Sequence, residues 1–309
     1  MEKTNIYFDE KTEVFDICLD GVFKAVFTRD TPVSKGALSK LISHLIGREI
    51  TIITISVNEL PIDNIRDRQI RFDIHCRAET GERINVEMSL NPAPFELIRM
   101  EFHAGKLFIA QDIKGADKNY DGLKQAYQIT ILGNGRFFQD EEFFHSLEYY
   151  DPIRKVSLNG RTRIITLELS KLKKIVDKPE DEMSFQEHWA VYFKYLTDKS
   201  KREKINKIIE LNEGVAMASE ALLTITEDDK ALFRKLSEEK RQLDIQSWES
   251  WEAAAELKGR EEGRQEGMQK GLEKGREEGQ DYVLELVAQG LTYEEIKKKL
   301  EENKQNNKT

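Results

Sequence analysis

The chain has 309 residues, enough for one or two domains with a core of their own. Its 57 acidic and 48 basic side chains leave a formal charge of −9, and no block resembles a basic nucleic-acid-binding arm. That balance argues against tight non-specific DNA binding, though not against a local basic cleft. Cys18 and Cys76 are too few for a disulfide scaffold and lack metal-ligand spacing. No apolar run approaches the roughly 18 residues of a membrane span, and the N-terminus does not read as a signal peptide. A soluble cytoplasmic protein without a membrane partner is expected.

In chain order, Asp20 to Phe27 predicts a short helix, with Val22 or Phe23 and Val26 or Phe27 on its buried side. Thr31-Pro32 opens a loop. Leu38, Leu41, Ile42, Leu45 and Ile46 then recur at helical spacing, and Gly47 is a helix stop. The β-branched run from Ile50 to Val57 predicts a strand closed off by Pro61. Two alternating runs follow, Gln69 to Ala78 and Glu82 to Leu90, each with the period of a half-buried strand. A helix is expected from about Phe95 to Ile113, and strands over Ala126 to Leu132 and Arg163 to Leu169. This order points to an α/β sandwich around a mixed sheet.

Beyond Pro179 the pattern is helical. Phe185, Trp189, Phe193 and Leu196 form an apolar stripe that reads as core, and a charged helical stretch continues to about residue 257. Glycines then recur every fourth position from Gly259 to Gly279. Each costs about 0.8–1 kcal/mol against alanine in a helix. A four-residue period also drifts about 40° per step on an α-helix, so the glycines make no fixed stripe. A solvated helix or tether is expected. Two short helices close the chain. The second is capped by Thr292 with Glu295 three residues on, and the pair reads as an oligomerisation or docking element.

The two alternating runs carry the most informative feature. Glu79-Thr80-Gly81 makes a three-residue hairpin loop with glycine at the left-handed position. That loop sets Ala78 opposite Glu82, Cys76 opposite Ile84 and Ile74 opposite Val86, so Asp73 falls opposite Glu87. Directly opposed side chains have Cβ atoms roughly 5 Å apart, where like charges repel. A divalent cation is the natural compensation; a solvated polar face is the alternative.

The order of motifs resembles the PD-(D/E)XK nuclease-like family of transposase-associated proteins, in its recombination-promoting nuclease (Rpn) branch. Asp20-Gly21-Val22-Phe23-Lys24-Ala25-Val26-Phe27 is similar to the family's D-x-x-F-K-x-x-F motif. Phe72-Asp73-Ile74 resembles the strand bearing the first catalytic Asp, and Ile84-Asn85-Val86-Glu87-Met88 its I-N-I-E-M segment. Arg99, Leu107, Gln111, Gly115, Tyr120, Leu123 and Lys124 follow the R…L…Q…G…Y…LK succession. Ile129-Thr130-Ile131-Leu132 and Glu168-Leu169-Ser170-Lys171 also fit, and the glycine-rich tail is similar to that of the branch.

The resemblance implies a restriction-endonuclease-like core with a mixed β-sheet flanked by helices, followed by a helical C-terminal region. It implies Mg²⁺-dependent (or Mn²⁺-dependent) cleavage of DNA phosphodiesters, with Asp73 and Glu87 holding the metal and the backbone carbonyl of Met88 as a further ligand. Asp20 is either a third acid near the metal or a helix N-cap. The division expected is a nuclease-like core over 1–175, a helical region over 176–257, a glycine-every-four charged helix or tether over 258–280, and a small helical pair over 281–303. Homo-oligomerisation through the C-terminal helices is also expected.

One position departs from the pattern. Two residues after the Glu the superfamily usually has Lys and this branch often Gln; here it is Ser89. Arg71, opposite Ser89 in this register, is one candidate donor. Lys106 is another, because Arg99, His103 and Lys106 share a helix face. His75 is a candidate contact to phosphate or metal, or an ordinary strand histidine. Two functions stay open: a metal-dependent DNA endonuclease of the recombination-promoting, transposase-associated type, or a catalytically impaired nuclease fold that binds DNA or assembles through its tail.

Overall fold

Helix α1 (Asp20–Thr28) forms where the apolar spacing places it and buries Val22, Phe23, Val26 and Phe27. Helix α2 (Pro32–Ile46) begins where a loop was expected, with Thr31 as its N-cap. The Thr31 hydroxyl accepts the Ser34 N–H at 3.1 Å, and Pro32 takes the first helical position, where its missing N–H costs nothing. The helix ends at Gly47 as expected. The computed structural model describes residues 6–9, 11–56, 73–111, 119–158 and 160–306. Pro61, Arg71 and the expected strand residues from Gln69 to Phe72 lie outside these.

Strands β1 (Ile52–Ser56), β2 (Ile74–Ala78) and β3 (Arg83–Ser89) run antiparallel in succession. The register of β2 on β3 is the expected one, with Ile74 opposite Val86 and Cys76 opposite Ile84. Gly81 turns the loop with φ +97°, a conformation other residues rarely adopt. Helix α3 (Glu96–Ile109) then crosses to β4 (Ala126–Leu132), which lies parallel to β3. Three short strands follow: β5 (Phe144–Leu147), β6 (Tyr150–Asp151) and β7 (Val156–Ser157). Strand β8 (Thr162–Glu168) completes the mixed sheet, in the order β1-β2-β3-β4-β8-β5, while β6 and β7 pair separately.

The two faces of this sheet are chemically different. Ile84, Val86 and Met88 of β3, Ile129 and Ile131 of β4, and Ile165 and Leu167 of β8 join one apolar core with α1, α2 and three later helices. These are α4 (Phe185–Tyr195), α5 (Arg202–Leu211) and α6 (Glu213–Leu223). Aromatic rings tie the early and late helices together. Phe23 and Phe27 lie 4.9 Å apart, Phe27 meets Trp189 at 6.1 Å, and Trp189 stacks on Phe193 at 5.6 Å. Phe185 stands outside this cluster, half exposed and stacked on His44. The opposite face lies under α3 and is polar: Asn85, Glu87, Gln128, Thr130 and Thr166 are all buried there.

The chain divides into two units, residues 1–241 and 242–309. Helix α7 (Glu227–Ala288) begins in the first and ends in the second, and α8 (Tyr293–Asn306) follows. The glycine-repeat segment is helical. Its glycines are exposed, with nothing within 4 Å of where a Cβ would stand. Pairs such as Glu261–Arg264 and Glu266–Lys270, both at 2.7 Å, support the helix at roughly 0.2–0.5 kcal/mol each. The Thr292 N–H donates to the Glu295 carboxylate at 2.8 Å, forming the cap expected before α8.

The ends of β3 and β4 stay joined just past the strands. The Gly133 N–H donates to Ser89 O at 2.8 Å, and a Cβ at Gly133 would stand 2.9 Å from the Leu90 backbone. Gly133→Ala should therefore force the two strand ends apart and cost about 1–3 kcal/mol. A lower urea midpoint in circular dichroism is expected; an unchanged midpoint would contradict this close approach.

Candidate active site

Asp73 sits immediately before β2, one residue beyond the Ile74–Val86 pair that ends the β2–β3 register, and Glu87 follows Val86 on β3. Both acids are buried. Neither is left to repel the other across the hairpin, because each meets positive charge or hydrogen-bond donors from elsewhere in the fold.

Helix α1 serves Asp73. The Lys24 ammonium lies 3.3 Å from Asp73 Oδ1 and 3.0 Å from Asp20 Oδ2, while the Met88 N–H donates to Asp73 Oδ2 at 3.2 Å. Asp20 is the first residue of α1, and Leu19 is its N-cap. Its carboxylate joins Asp73 through Lys24, so two of the predicted acids meet on one ammonium. Lys24 and Asp20 are four residues apart on one helix face, a spacing that favours such a pair.

Helix α3 serves Glu87. Arg99 Nη2 lies 2.7 Å from Glu87 Oε1 and 2.6 Å from Glu96 Oε1. His103 Nδ1 is 3.4 Å from Glu87 Oε2. Gln128 of β4 reaches the same oxygen with its side-chain amide at 3.3 Å. That amide also donates to the Thr130 hydroxyl at 3.0 Å, while Gln128 Oε1 accepts from Asn85 at 2.9 Å. These groups are buried, and burying polar groups is costly unless they are hydrogen-bonded. The chain of amides returns that cost as a fixed orientation for the Glu87 carboxylate.

The electrostatics bind these parts into one cluster. Burial works to lower the pKa of Arg99, but Glu87, Glu96 and Asp73 outweigh it and hold the guanidinium above its ordinary value. Burial raises the Glu96 carboxyl, and Arg99 offsets part of that rise. His75 of β2, two residues after Asp73, is pushed down by burial and by Arg83, which favours the neutral imidazole.

The remaining sequence candidates fall in different places. Ser89 is the last residue of β3, half buried, and its carbonyl is taken by Gly133. Lys106 is half buried on α3, with its ammonium 5.8 Å from the Phe102 ring centre. Arg71 lies outside the described residues. Lys24 and Gln128 received no role in the sequence reading. Their signals were present: Lys24 is four residues from Asp20 inside the recognised motif, and Gln128 is a lone amide within an apolar strand.

A hard divalent cation suits the donors gathered here. Asp73, just before β2, and Glu87 of β3 offer buried carboxylate oxygens, while the Asp20 carboxylate reaches Asp73 only through Lys24. Mg²⁺ characteristically takes one or two carboxylates and keeps several waters. No cluster of three or more His, Cys, Asp or Glu side chains with metal-binding geometry occurs among the described residues. Any cation here would therefore depend on two carboxylates, water and backbone oxygen.

No helix among the described residues is long and apolar enough to cross a membrane. Comparison with curated proteins and with solved structures found no match. The profile of the PD-(D/E)XK nuclease family transposases matches residues 17–251, a span that holds α1, the whole sheet, α3 and the polar cluster. The mixed six-stranded sheet with flanking helices agrees with the restriction-endonuclease-like fold of that family. The chain belongs to the PD-(D/E)XK nuclease family transposases.

Proposed function

We propose that this protein is a divalent-metal-dependent DNA endonuclease of the recombination-promoting type, cutting phosphodiester bonds at Asp73 and Glu87. Family membership supplies nuclease function at the level of the family. The observation that carries the finer reading is the burial of two acids at the β2–β3 hairpin, each held by a cation from a different helix. A face devoted to stability alone would be apolar, as the other face of the same sheet is.

Asp73, Glu87 and the Met88 carbonyl would hold Mg²⁺ or Mn²⁺, with Asp20 beside them. The metal would lower the pKa of a bound water and offset charge on the phosphate. Gln128 holds the Glu87 carboxylate by a hydrogen bond, and His103 Nδ1 lies 3.4 Å from the same oxygen. Arg99 balances Glu87 and Glu96, and its guanidinium also suits a DNA phosphate. A cytoplasmic location fits a protein acting on cellular or mobilised DNA.

A second reading, a nuclease fold that binds DNA or partners without cutting, is favoured by one observation. Each carboxylate oxygen of Asp73 and Glu87 already has a donor or cation from the chain itself. Supercoiled plasmid separates the two. With Mg²⁺ or Mn²⁺ the wild type should nick it and with EDTA it should not; Asp73→Ala and Glu87→Ala should each lose about 10²–10³-fold or more. Metal-dependent nicking that survives in the double variant would sink the site assignment. DNA binding without nicking in any metal would establish the second reading.

The C-terminal unit supports self-association in this proposal. Leu284, Val287 and Tyr293 are exposed on α7 and α8, while Leu286 is buried there. Paired cores on one tether would meet DNA at raised effective concentration. Truncation after residue 257 should leave a folded core of lower average mass in light scattering. Equal masses at every concentration, or loss of the core's helical signal, would contradict this role.

A further inference from the structure

We propose that Lys24 is a catalytic residue, supplying from α1 the cationic side chain that β3 lacks at Ser89 and contacting the scissile phosphate of DNA. The proposal rests on the nuclease reading above and names the residue that completes the site. An ammonium has three N–H donors. In Lys24 two face Asp20 and Asp73, at 3.0 and 3.3 Å, which leaves one for an incoming ligand. The side chain is 29% exposed, so a phosphate approaching the acids can reach it.

Its position is fixed on both sides. Phe23 and Phe27 anchor α1 in the apolar core, and Asp20 holds the ammonium from its own helix. The other cations of the region are differently engaged. Arg99 is shared between Glu87 and Glu96, and the Lys106 ammonium lies over Phe102. At position 89 the strand presents only a hydroxyl.

In hydrolysis the water oxygen bonds to phosphorus, the bond to the leaving sugar oxygen breaks, and that oxygen takes up a proton as one water is consumed. Lys24 neither gains nor loses a proton in this step. It stabilises charge on a non-bridging phosphate oxygen as that charge grows, which is worth most where the donor is already in place.

The test combines plasmid nicking with Mn²⁺ titration calorimetry and circular dichroism on full-length wild type, K24M, K24Q and K24M/S89K. K24M and K24Q should fold, keep Mn²⁺ binding at least as tight as wild type because a competing ammonium is gone, and lose about 10²-fold or more in nicking. Placing the lysine back on β3 in K24M/S89K should recover part of that loss, a rescue that a merely structural ion pair would not give. Nicking by K24M within a few-fold of wild type overturns the proposal, as does unfolding of both single variants or failure of S89K to restore any activity. A wild type that neither nicks nor binds Mn²⁺ overturns the nuclease reading itself, and this assignment with it.

Discussion

Two carboxylates buried at one strand hairpin need positive charge close by. This requirement organises the molecule around Asp73 and Glu87. Lys24 of α1 meets it at Asp73 and Arg99 of α3 at Glu87. The helices that carry these cations are the first element of the fold and the crossover between β3 and β4, so neutralising the acids also locks both layers onto the sheet. The placement of α1 by Phe23 and Phe27 is thus a condition of the site as well as of the core.

The same requirement explains why one face of the sheet is apolar and the other polar. Asn85, Gln128 and Thr130 would each be costly under α3 if unpaired. Together they form a hydrogen-bonded series ending on Glu87. Stability for the polar layer comes from the opposite face, where α4, α5 and α6 complete the core begun by α1 and α2. The helices beyond Pro179 are therefore structural partners of the sheet, and the family match across residues 17–251 covers them.

Much of this was legible in the sequence because it is local. The three-residue loop at Glu79-Thr80-Gly81 fixed the β2–β3 register from Ile74–Val86 to Arg77–Arg83, and Asp73 and Glu87 each lie one residue beyond its last pair. Period and capping likewise located α1, the strand from Ala126 to Leu132, and the Thr292–Glu295 cap. What the sequence hid depends on contacts between distant segments. Lys24 meets Asp73 across 49 positions, and Gln128 meets Glu87 across 41, which no periodicity announces. Thr31-Pro32 read as a loop because proline usually ends a helix, whereas here it occupies the one helical turn that tolerates it. Strands β5, β6 and β7 are too short to show an alternation of their own.

Charge compensation at the buried acids is tested most directly by a double-mutant cycle between Glu87 and Arg99. Urea unfolding of wild type, Glu87→Gln, Arg99→Met and the double variant, all in EDTA, gives the coupling without any contribution from metal. Removing Arg99 alone should destabilise the protein, because Glu87 is then left buried without its cation. Removing both charges should restore much of that loss, with a coupling of about 0.5–3 kcal/mol. Strictly additive losses would show that the guanidinium does not hold the carboxylate, and would contradict the account.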